Sequence, residues 1–250
     1  MIVLITGASA GFGAAMARSF VQAGHQVIAT ARRKDKLNAL AAELGDQLLP
    51  VALDVTDSAA VQALPSQLPA EFAAVDILIN NAGLALGLAP AQNADLDQWH
   101  TMIDTNCKGL VNVSRAFLPG MVERQRGHVI NIGSTAGNWP YQGGNVYGAS
   151  KAFVQQFSRN LRTDLFGTPI RVTNVEPGMC GGTEFSNVRF GDDAQAAKVY
   201  EGVQFITPED IAQTVLWIAQ TPKHVNVNSI EIMPVQQSFG GLSVHRQSVW

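Results

Sequence analysis

A tyrosine and a lysine lie four residues apart in the stretch NVYGASK, which spans residues 145–151. Four residues make about one turn of an α-helix, so on a helix the two side chains share one face. A phenol has an ordinary pKa of about 10 and is a poor base at neutral pH, but a nearby ammonium stabilises the phenolate and lowers that pKa. The spacing therefore predicts that Tyr147 is a general acid/base and Lys151 the charge that tunes it. A pair at this spacing also arises by chance, so the prediction needs support from other residues.

Ser134 and Asn106 are the other polar residues predicted for this reaction centre. Ser134, in INIGSTAG, lies just past the fifth predicted strand, where its hydroxyl can bind a substrate oxygen and stabilise developing negative charge. Each residue has a purely structural alternative: Ser134 as a turn residue, Asn106 as a polar residue that bends a helix, Tyr147 as one wall of an amphipathic helix. We favour a reaction centre formed with Lys151, because all the structural alternatives would otherwise have to hold together.

A glycine-rich turn, TGASAGFG at residues 6–13, follows the first predicted strand and opens the first predicted helix. Its glycines let the backbone turn tightly and approach a phosphate, with helix-end amides facing the anion. The spacing is G-x-x-x-G-x-G, and such turns also occur for packing reasons. The strand–turn–helix context favours a dinucleotide site. The predicted contacts in this turn are Gly7, Ala8, Ser9, Ala10, Gly11, Phe12 and Gly13.

Two arginines, Arg32 and Arg33, follow the second predicted strand in IATARRKDK. A site for NAD usually carries an acid there, which binds the ribose 2′-hydroxyl. Guanidinium groups suit a 2′-phosphate instead. The alternative is that both arginines are solvated loop residues. With the glycine turn nearby, the pair predicts NADP(H) as the cofactor.

Short β-branched runs alternate with longer helical patterns along the chain. The predicted strands are residues 2–5, 26–30, 48–53, 77–79, 128–132, 170–175 and 229–233. Most are nearly continuous apolar runs, typical of parallel strands covered on both faces. The predicted helices are residues 13–23, 34–44, 58–64, 97–118, 145–166 and 208–219. The alternation predicts an α/β fold with one doubly wound parallel sheet of about seven strands, of the Rossmann type.

The sequence predicts a single catalytic domain over residues 1–250, because no linker or change in composition divides the chain. Residues 177–206 are Gly-rich and depart from the alternation. Ligands bind beyond the carboxyl ends of strands in such sheets, so we predict that this segment, which follows the sixth strand, is a substrate lid. Residues 234–250 form a tail, and its stretch SFGGLSVHRQSVW is apolar enough to dock on a neighbouring subunit.

The composition excludes several classes of function. A net charge of -3 gives no broad basic surface for nucleic acid or membrane binding. The 2 cysteines form no metal-type pair or disulfide framework, and the 5 histidines lack ligand spacing, so no metal site is expected. Without a visible targeting segment or membrane span, we expect a cytoplasmic protein.

Five motifs occur together in one order: TGASAGFG, NNAG at residues 80–83, DTNCKG around Asn106, INIGSTAG around Ser134, and the Tyr147–Lys151 pair. Together they resemble the short-chain dehydrogenase/reductase family, from the first strand to the last. The resemblance implies a Rossmann-type sheet, hydride transfer between a nicotinamide cofactor and a carbonyl or alcohol, and a homotetramer. It also implies that Lys151 holds the nicotinamide ribose and that Asn106 anchors a water that relays the proton.

Further cofactor contacts follow from the resemblance alone. They are Asp54 and Val55 at the adenine, Asn81 and Gly83 in the loop after the fourth strand, Pro177 and Gly178 beside the nicotinamide, and Thr183. Structural alternatives stay open, since Asp54 can cap a strand end and Pro177 can terminate a strand. The family usually places the threonine five residues after the proline. Here Thr183 comes six residues after Pro177, so the lid carries one extra residue.

Within the family, NWPYQGGNVYGASK and EPGMCGGTEFSNVRF resemble the NADP-dependent 3-hydroxy acid dehydrogenases. That resemblance implies serine, L-allo-threonine or 3-hydroxypropionate as substrates, with malonic semialdehyde in the reverse direction. Sulfoacetaldehyde reductases look similar at this level. A 3-oxoacyl carrier-protein reductase and a non-catalytic NADP-binding protein are the further alternatives. The first lacks a basic cluster for an acidic carrier protein here, and the second would normally lose the tyrosine or lysine.

A short hydroxy acid needs a positive group to hold its anionic end. Arg189, in the lid stretch FSNVRF, is the first candidate, and Arg246 in the tail, reaching a neighbour's site, is the second. A lid arginine is also often simply solvated. Gln142 and Asn145, just upstream of Tyr147, are predicted to add neutral hydrogen bonds to the substrate.

Overall fold

The computed structural model describes residues 1–239, which form seven strands and nine α-helices. The strands are β1 (Ile2–Thr6), β2 (Gln26–Ala31), β3 (Leu48–Ala52), β4 (Ile77–Asn80), β5 (His128–Ile132), β6 (Arg171–Pro177) and β7 (Ser229–Ile232). The helices are α1 (Gly11–Gln22), α2 (Lys34–Leu44), α3 (Ser58–Gln67), α4 (Leu96–Ile103), α5 (Leu110–Glu123), α6 (Asn145–Asp164), α7 (Phe185–Phe190), α8 (Asp193–Val199) and α9 (Pro208–Gln220).

All seven strands pair in parallel in one sheet of order β3-β2-β1-β4-β5-β6-β7. The order reverses between β1 and β4, which leaves a crevice at their carboxyl ends. The prediction of a doubly wound, Rossmann-type parallel sheet is confirmed.

The sheet separates two hydrophobic cores. One core contains buried residues of α1, α2 and α9, including Phe20 and Ile211. The other contains buried residues of α3, α5 and α6, including Phe117 and Leu161. Burial on both faces explains why the strands read as continuous apolar runs.

One predicted helix is not continuous in the structure. The helix expected over residues 97–118 is instead α4 and α5, joined by a π-helical stretch at Asp104–Gly109. Gly109 packs closely against Val55, which follows β3: a Cβ on Gly109 would lie 2.6 Å from Val55 Cγ2. Extra residues of this kind in a helix often occur at functional sites, because they redirect one side chain. Asn106 lies within this stretch and is buried.

The predicted lid over residues 177–206 contains the two short helices α7 and α8. Its ends are held by the segment after β7. Gln237 Oε1 accepts a hydrogen bond from Met179 N (2.7 Å), and Gln236 Oε1 accepts one from Gln204 N (2.7 Å). The lid is therefore tied to the body of the protein at both ends. The predicted docking tail lies largely in residues 240–250, outside the described residues.

Candidate active site

A cavity of about 670 Å³ lies at the carboxyl ends of the strands, between the sheet and the lid. The predicted site residues line it, with four exceptions among the described ones: Ala8, Gly13, Asn106 and Asn145. Arg246, the second candidate for the substrate anion, lies outside the described residues. The sequence motifs, which are far apart along the chain, thus converge on one space.

The glycine turn after β1 forms one end of this cavity. Gly7 and Gly11 have φ angles of +67° and +51°, which favour glycine. A Cβ on Gly13 would lie 2.4 Å from the Gly7 carbonyl oxygen, so Gly13 permits the close packing of the turn and does not itself face the cavity. Ala8 is completely buried beneath the same turn. Both residues support the predicted phosphate-binding loop from behind.

Asn81 fixes that turn to the loop after β4. Its Nδ2 donates to the Thr6 carbonyl oxygen at 2.8 Å, and its backbone N–H donates to Thr6 Oγ1 at 3.0 Å. Two strands that are neighbours in the sheet are thereby joined where they end.

Arg33 reaches from the end of β2 to the glycine turn. Its Nε and Nη2 donate to Ser9 Oγ at 3.2 and 3.1 Å. Burial acts to raise the pKa of the Asp54 carboxyl, but hydrogen bonds from Thr56 and the charge of Arg32 outweigh it and lower that pKa. Two guanidinium groups and a serine hydroxyl beside a tight glycine turn form a donor set suited to phosphate oxygens. These residues fit a dinucleotide that carries a 2′-phosphate.

Tyr147, Ser134 and Lys151 meet at the centre of the cavity. Tyr147 lies in the first turn of α6 and is 8% exposed. Ser134 lies two residues past the end of β5, and its Oγ accepts a hydrogen bond from Ala136 N at 3.1 Å and donates one to the Pro177 carbonyl oxygen at 3.4 Å. Lys151 Nζ donates to the Ile132 carbonyl oxygen at 2.8 Å and lies 5.9 Å from the centroid of the Tyr147 ring. Helix α6 therefore presents the tyrosine and the lysine on one face, as the spacing predicts.

Burial shifts the pKa values of this pair in opposite directions. Burial raises the pKa of Tyr147 well above its ordinary value, although the hydrogen bond with Ser134 and the charge of Arg189 act to lower it. Burial lowers the pKa of Lys151 to about 8. Burial of the phenol thus opposes the lowering of the tyrosine pKa that is predicted for Lys151, and that tuning role stays a prediction.

Asn106 lies behind this centre and is 2% exposed. Its Oδ1 accepts from Leu84 N, and its Nδ2 donates to the Leu84 carbonyl oxygen, both at 2.9 Å. Nδ2 also donates to Ser150 Oγ at 3.0 Å. Asn106 thus holds the loop after β4 against α6, beside Lys151. Its predicted role in anchoring a water stays a prediction.

The lid brings Arg189 close to Tyr147. Arg189 Nη2 donates to the Tyr141 hydroxyl at 2.7 Å, and Nε donates to the Gly87 carbonyl oxygen at 3.3 Å. The guanidinium carbon lies 5.3 Å from the Tyr141 ring centroid and 5.6 Å from that of Tyr147. A cation therefore lies next to the predicted reaction centre.

Two other predicted substrate residues differ in position. Gln142 lines the cavity, whereas Asn145 points away from it. Asn145 Nδ2 donates to the Ala89 carbonyl oxygen at 3.2 Å, and its Oδ1 accepts from Val146 N at 2.8 Å. The predicted contact of Asn145 with the substrate is not supported, because its side chain is used in holding the start of α6.

The extra lid residue before Thr183 does not move that threonine out of the site. Thr183 lines the cavity, and its methyl carbon would lie 3.2 Å from a Cβ placed on Gly11. The lid therefore touches the glycine turn through Thr183.

Three contacts were missed in the sequence. Tyr141, which binds Arg189, lies in the stretch NWPYQGGNVYGASK. Its position six residues before Tyr147 is the signal from which a contact near the site could have been predicted. Phe185 packs edge-on against Tyr147, with ring centroids 5.7 Å apart. Glu184 pairs with Arg33 across the cavity at 2.7 Å. No local pattern indicates these last two contacts, because they depend on how the lid folds.

Comparisons with known proteins agree with this geometry. The sequence profile described as short chain dehydrogenase matches residues 1–193, so the chain belongs to that family. The predictions of family and of an oxidoreductase are confirmed.

The chain is 63% identical to the NADP-dependent 3-hydroxy acid dehydrogenase YdfG of Salmonella typhi over 247 residues, covering 98% of this chain and 100% of that protein. It is 52% identical to the serine 3-dehydrogenase of Agrobacterium fabrum over 247 residues, covering 98% of each. Among solved structures, the closed form of serine dehydrogenase complexed with NADP+ superposes with a TM-score of 0.95 and 61% identity, covering 99% of this chain and 100% of that one.

Within residues 1–239, no helix is long and apolar enough to cross a membrane, and no group of three or more His, Cys, Asp or Glu residues could hold a metal ion.

Proposed function

We propose that this protein transfers a hydride between NADP(H) and a short 3-hydroxy acid or the corresponding semialdehyde. The observation that carries the proposal is Arg189, whose guanidinium lies 5.6 Å from the ring of the predicted catalytic tyrosine. The names of relatives at 52–63% identity over nearly the whole chain support the same substrate class.

The choice of cofactor rests on the end of β2. Arg32 and Arg33 both line the cavity, and Arg33 is joined to Ser9 in the glycine turn. A 2′-phosphate between these groups would gain charge-assisted hydrogen bonds, whereas NAD would leave them unused. The bound NADP+ of the similar serine dehydrogenase structure supports this choice.

The residues around Tyr147 divide the chemistry between them. The chemistry that a bound nicotinamide supplies is hydride transfer at the carbinol carbon. In oxidation, Tyr147 acts as the phenolate and its Oη accepts the proton of the substrate hydroxyl; in reduction, the protonated Tyr147 donates its proton to the carbonyl oxygen. Ser134 holds the same substrate oxygen and stabilises negative charge on it.

Lys151 lies where a ribose hydroxyl and the phenolate would both gain from its charge. Burial lowers the pKa of Lys151 to about 8, so part of the population loses its charge as the pH rises through that value. When the tyrosine ionises, the charges of Lys151 and Arg189, which lie 5.9 and 5.6 Å from the centroid of its ring, both stabilise the phenolate.

Replacing Lys151 by alanine should reduce both turnover and cofactor affinity. We expect NADP binding to weaken by about tenfold, since one charge-assisted hydrogen bond contributes roughly 1.5–3 kcal/mol. Steady-state rates and the quenching of protein fluorescence by NADP measure the two effects separately. A variant with impaired turnover and unchanged cofactor affinity would contradict the proposed contact of Lys151 with the ribose.

The lid arginine is the proposed partner of the substrate carboxylate. Lys151 Nζ is committed to the Ile132 carbonyl oxygen, and Arg33 is committed to Ser9 and Glu184. Among the described residues, Arg189 forms no ion pair, and Tyr141 fixes one side of its guanidinium. Its charge is therefore available to a carboxylate whose hydroxyl end lies at Tyr147.

Replacing Arg189 by alanine tests this assignment. We expect KM for 3-hydroxypropionate to rise by about ten- to a hundredfold, whereas a neutral short alcohol should be handled about as before. Steady-state kinetics with both substrates, and with sulfoacetaldehyde in the reverse direction, measure the effect. Equal losses on the acid and the neutral alcohol would remove Arg189 from the anion site. A strong response to Arg246→Ala instead would move that site to the subunit boundary.

We also propose a homotetramer of single-domain subunits in the cytoplasm. Helices α4 to α6 carry exposed apolar side chains, among them Ile103 (40% exposed), Val111 (36%) and Phe153 (41%). Exposed apolar groups on neighbouring helices are typical of a subunit interface. Light scattering at micromolar concentration should give four times the mass of the chain. A monomer would refute the proposal.

A further inference from the structure

A glutamate of the lid joins two cations beside the proposed 2′-phosphate site. Glu184 Oε2 accepts from Arg33 Nη1 at 2.7 Å, and Glu184 Oε1 accepts from Lys36 Nζ at 2.5 Å. Arg33 and Lys36 belong to the start of α2, whereas Glu184 precedes α7 by one residue. The two ion pairs therefore connect the lid to the segment that follows β2.

The position of this carboxylate is not explained by its own helix. Glu184 is the N-cap residue of α7, yet its side chain makes no capping hydrogen bond. An N-cap side chain ordinarily satisfies a free backbone N–H of the first turn. Glu184 instead reaches across to α2, which is a geometry that serves the contact between the lid and the body.

The ion pairs contribute little to the stability of the fold. The side chains of Arg33 and Glu184 are 44% and 45% exposed, and that of Lys36 is 41% exposed. Ion pairs in such positions are weak because water competes with them. Hydrogen bonds from Lys36 and Arg33 lower the pKa of Glu184, so the carboxylate is charged at neutral pH.

Arg33 binds a serine hydroxyl and a carboxylate through different nitrogens of one guanidinium. Its Nε and Nη2 face Ser9 in the glycine turn, and its Nη1 faces Glu184. Arg33 and Glu184 both line the cavity, whereas Lys36 does not. A phosphate bound at Arg33 would thus lie near the Glu184 carboxylate, while Lys36 lies behind it. Two anions on one cation weaken each other.

The same lid segment also carries the substrate arginine. Glu184 directly precedes the six-residue helix α7, and Arg189 lies in the last turn of that helix. The ion pair of Glu184 with Arg33 holds the start of this helix. The hydrogen bonds of Arg189 with Tyr141 and Gly87 hold its end.

We propose that Glu184 is a positioning residue that holds the lid closed at the expense of affinity for the 2′-phosphate. The inference rests on the proposed use of NADP and of Arg189. The Glu184 carboxylate then has two opposing effects. It favours binding of the hydroxy acid by positioning α7, and it weakens binding of the 2′-phosphate by reducing the positive charge available to it.

Replacing Glu184 by glutamine separates these effects. The amide keeps the size of the side chain and removes the charge. We expect 2′,5′-ADP to bind about two- to fivefold more tightly while ADP binds as before, and KM for 3-hydroxypropionate to rise by a similar factor. Isothermal titration with the two adenosine phosphates reads the phosphate site without turnover. The charge reversal Glu184→Lys should increase both effects.

Lys36→Met is the matched control, because it weakens the same anchor from the other side. It leaves the negative charge beside Arg33 in place. We expect KM for the hydroxy acid to rise as in Glu184→Gln, but 2′,5′-ADP to bind no more tightly than to the unaltered protein.

The possible outcomes are distinguishable. Tighter binding of 2′,5′-ADP together with a higher KM in Glu184→Gln, and only the higher KM in Lys36→Met, support the proposal. An unchanged ratio of 2′,5′-ADP to ADP affinity, or an unchanged KM, in Glu184→Gln overturns it. If the unaltered protein binds ADP as tightly as 2′,5′-ADP, the proposed cofactor itself is wrong.

Discussion

Replacing Tyr147 by phenylalanine should abolish most turnover and leave NADP binding nearly unchanged. The ring still packs against Phe185, so the shape of the buried site is kept. The proton that the hydroxyl exchanges with the substrate is lost, and general acid/base catalysis contributes about 10²–10⁴-fold to such rates. Steady-state kinetics and cofactor titration measure the two properties.

Tyr141→Phe is the matched control for that variant. It removes a tyrosine hydroxyl from the same cavity, but this hydroxyl accepts a hydrogen bond from Arg189 and has no proposed part in proton transfer. We expect its main effect on KM for the acid, with a much smaller loss of kcat than in Tyr147→Phe. If Tyr147→Phe retains most of the original rate, another group handles the proton.

Replacing both Arg32 and Arg33 by alanine should weaken NADP far more than NAD. Each charge-assisted hydrogen bond to a phosphate contributes roughly 1.5–3 kcal/mol, so we expect a loss of about ten- to a hundredfold in NADP affinity. The affinity for NAD, which has no 2′-phosphate, should change little. Direct titration with both cofactors measures the difference.

Lys34→Ala is the control for loss of charge in the same segment. Lys34 is exposed and follows Arg33 directly, but it does not line the cavity. It should leave the ratio of NADP to NAD affinity close to that of the unaltered protein. An equal weakening of both cofactors in the double variant would show that the arginines do not read the 2′-phosphate.

The fold was predictable because its signals are local. Apolar runs mark the strands, and the helix α2 occurs over Lys34–Leu44 as its sequence predicts. Helix α9 begins at Pro208, as predicted, and Thr207 and Asp210 form a capping box at its start. Parallel strands end at one edge of the sheet, so motifs that follow β1, β2, β4, β5 and β6 had to converge there.

The remaining features depend on contacts between distant segments. The side chain of Asn106, in the π-helical stretch, binds both backbone groups of Leu84, which lies 22 positions earlier in the chain. The direction of the Tyr147 pKa follows from how deeply the finished fold buries the phenol. The pairing of Glu184 with Arg33 joins residues that are 151 positions apart. Local spacing carries no information about such contacts.

The proposed transfer of a hydride between short 3-hydroxy acids and NADP can be measured in the direction of oxidation. The measurement compares initial rates of nicotinamide reduction with 3-hydroxypropionate and with 1-propanol, each with NADP and with NAD. We predict the highest kcat/KM for the acid with NADP, and a loss of about tenfold or more when either the carboxylate or the 2′-phosphate is removed. Equal rates with the acid and the neutral alcohol, or with the two cofactors, would contradict the account.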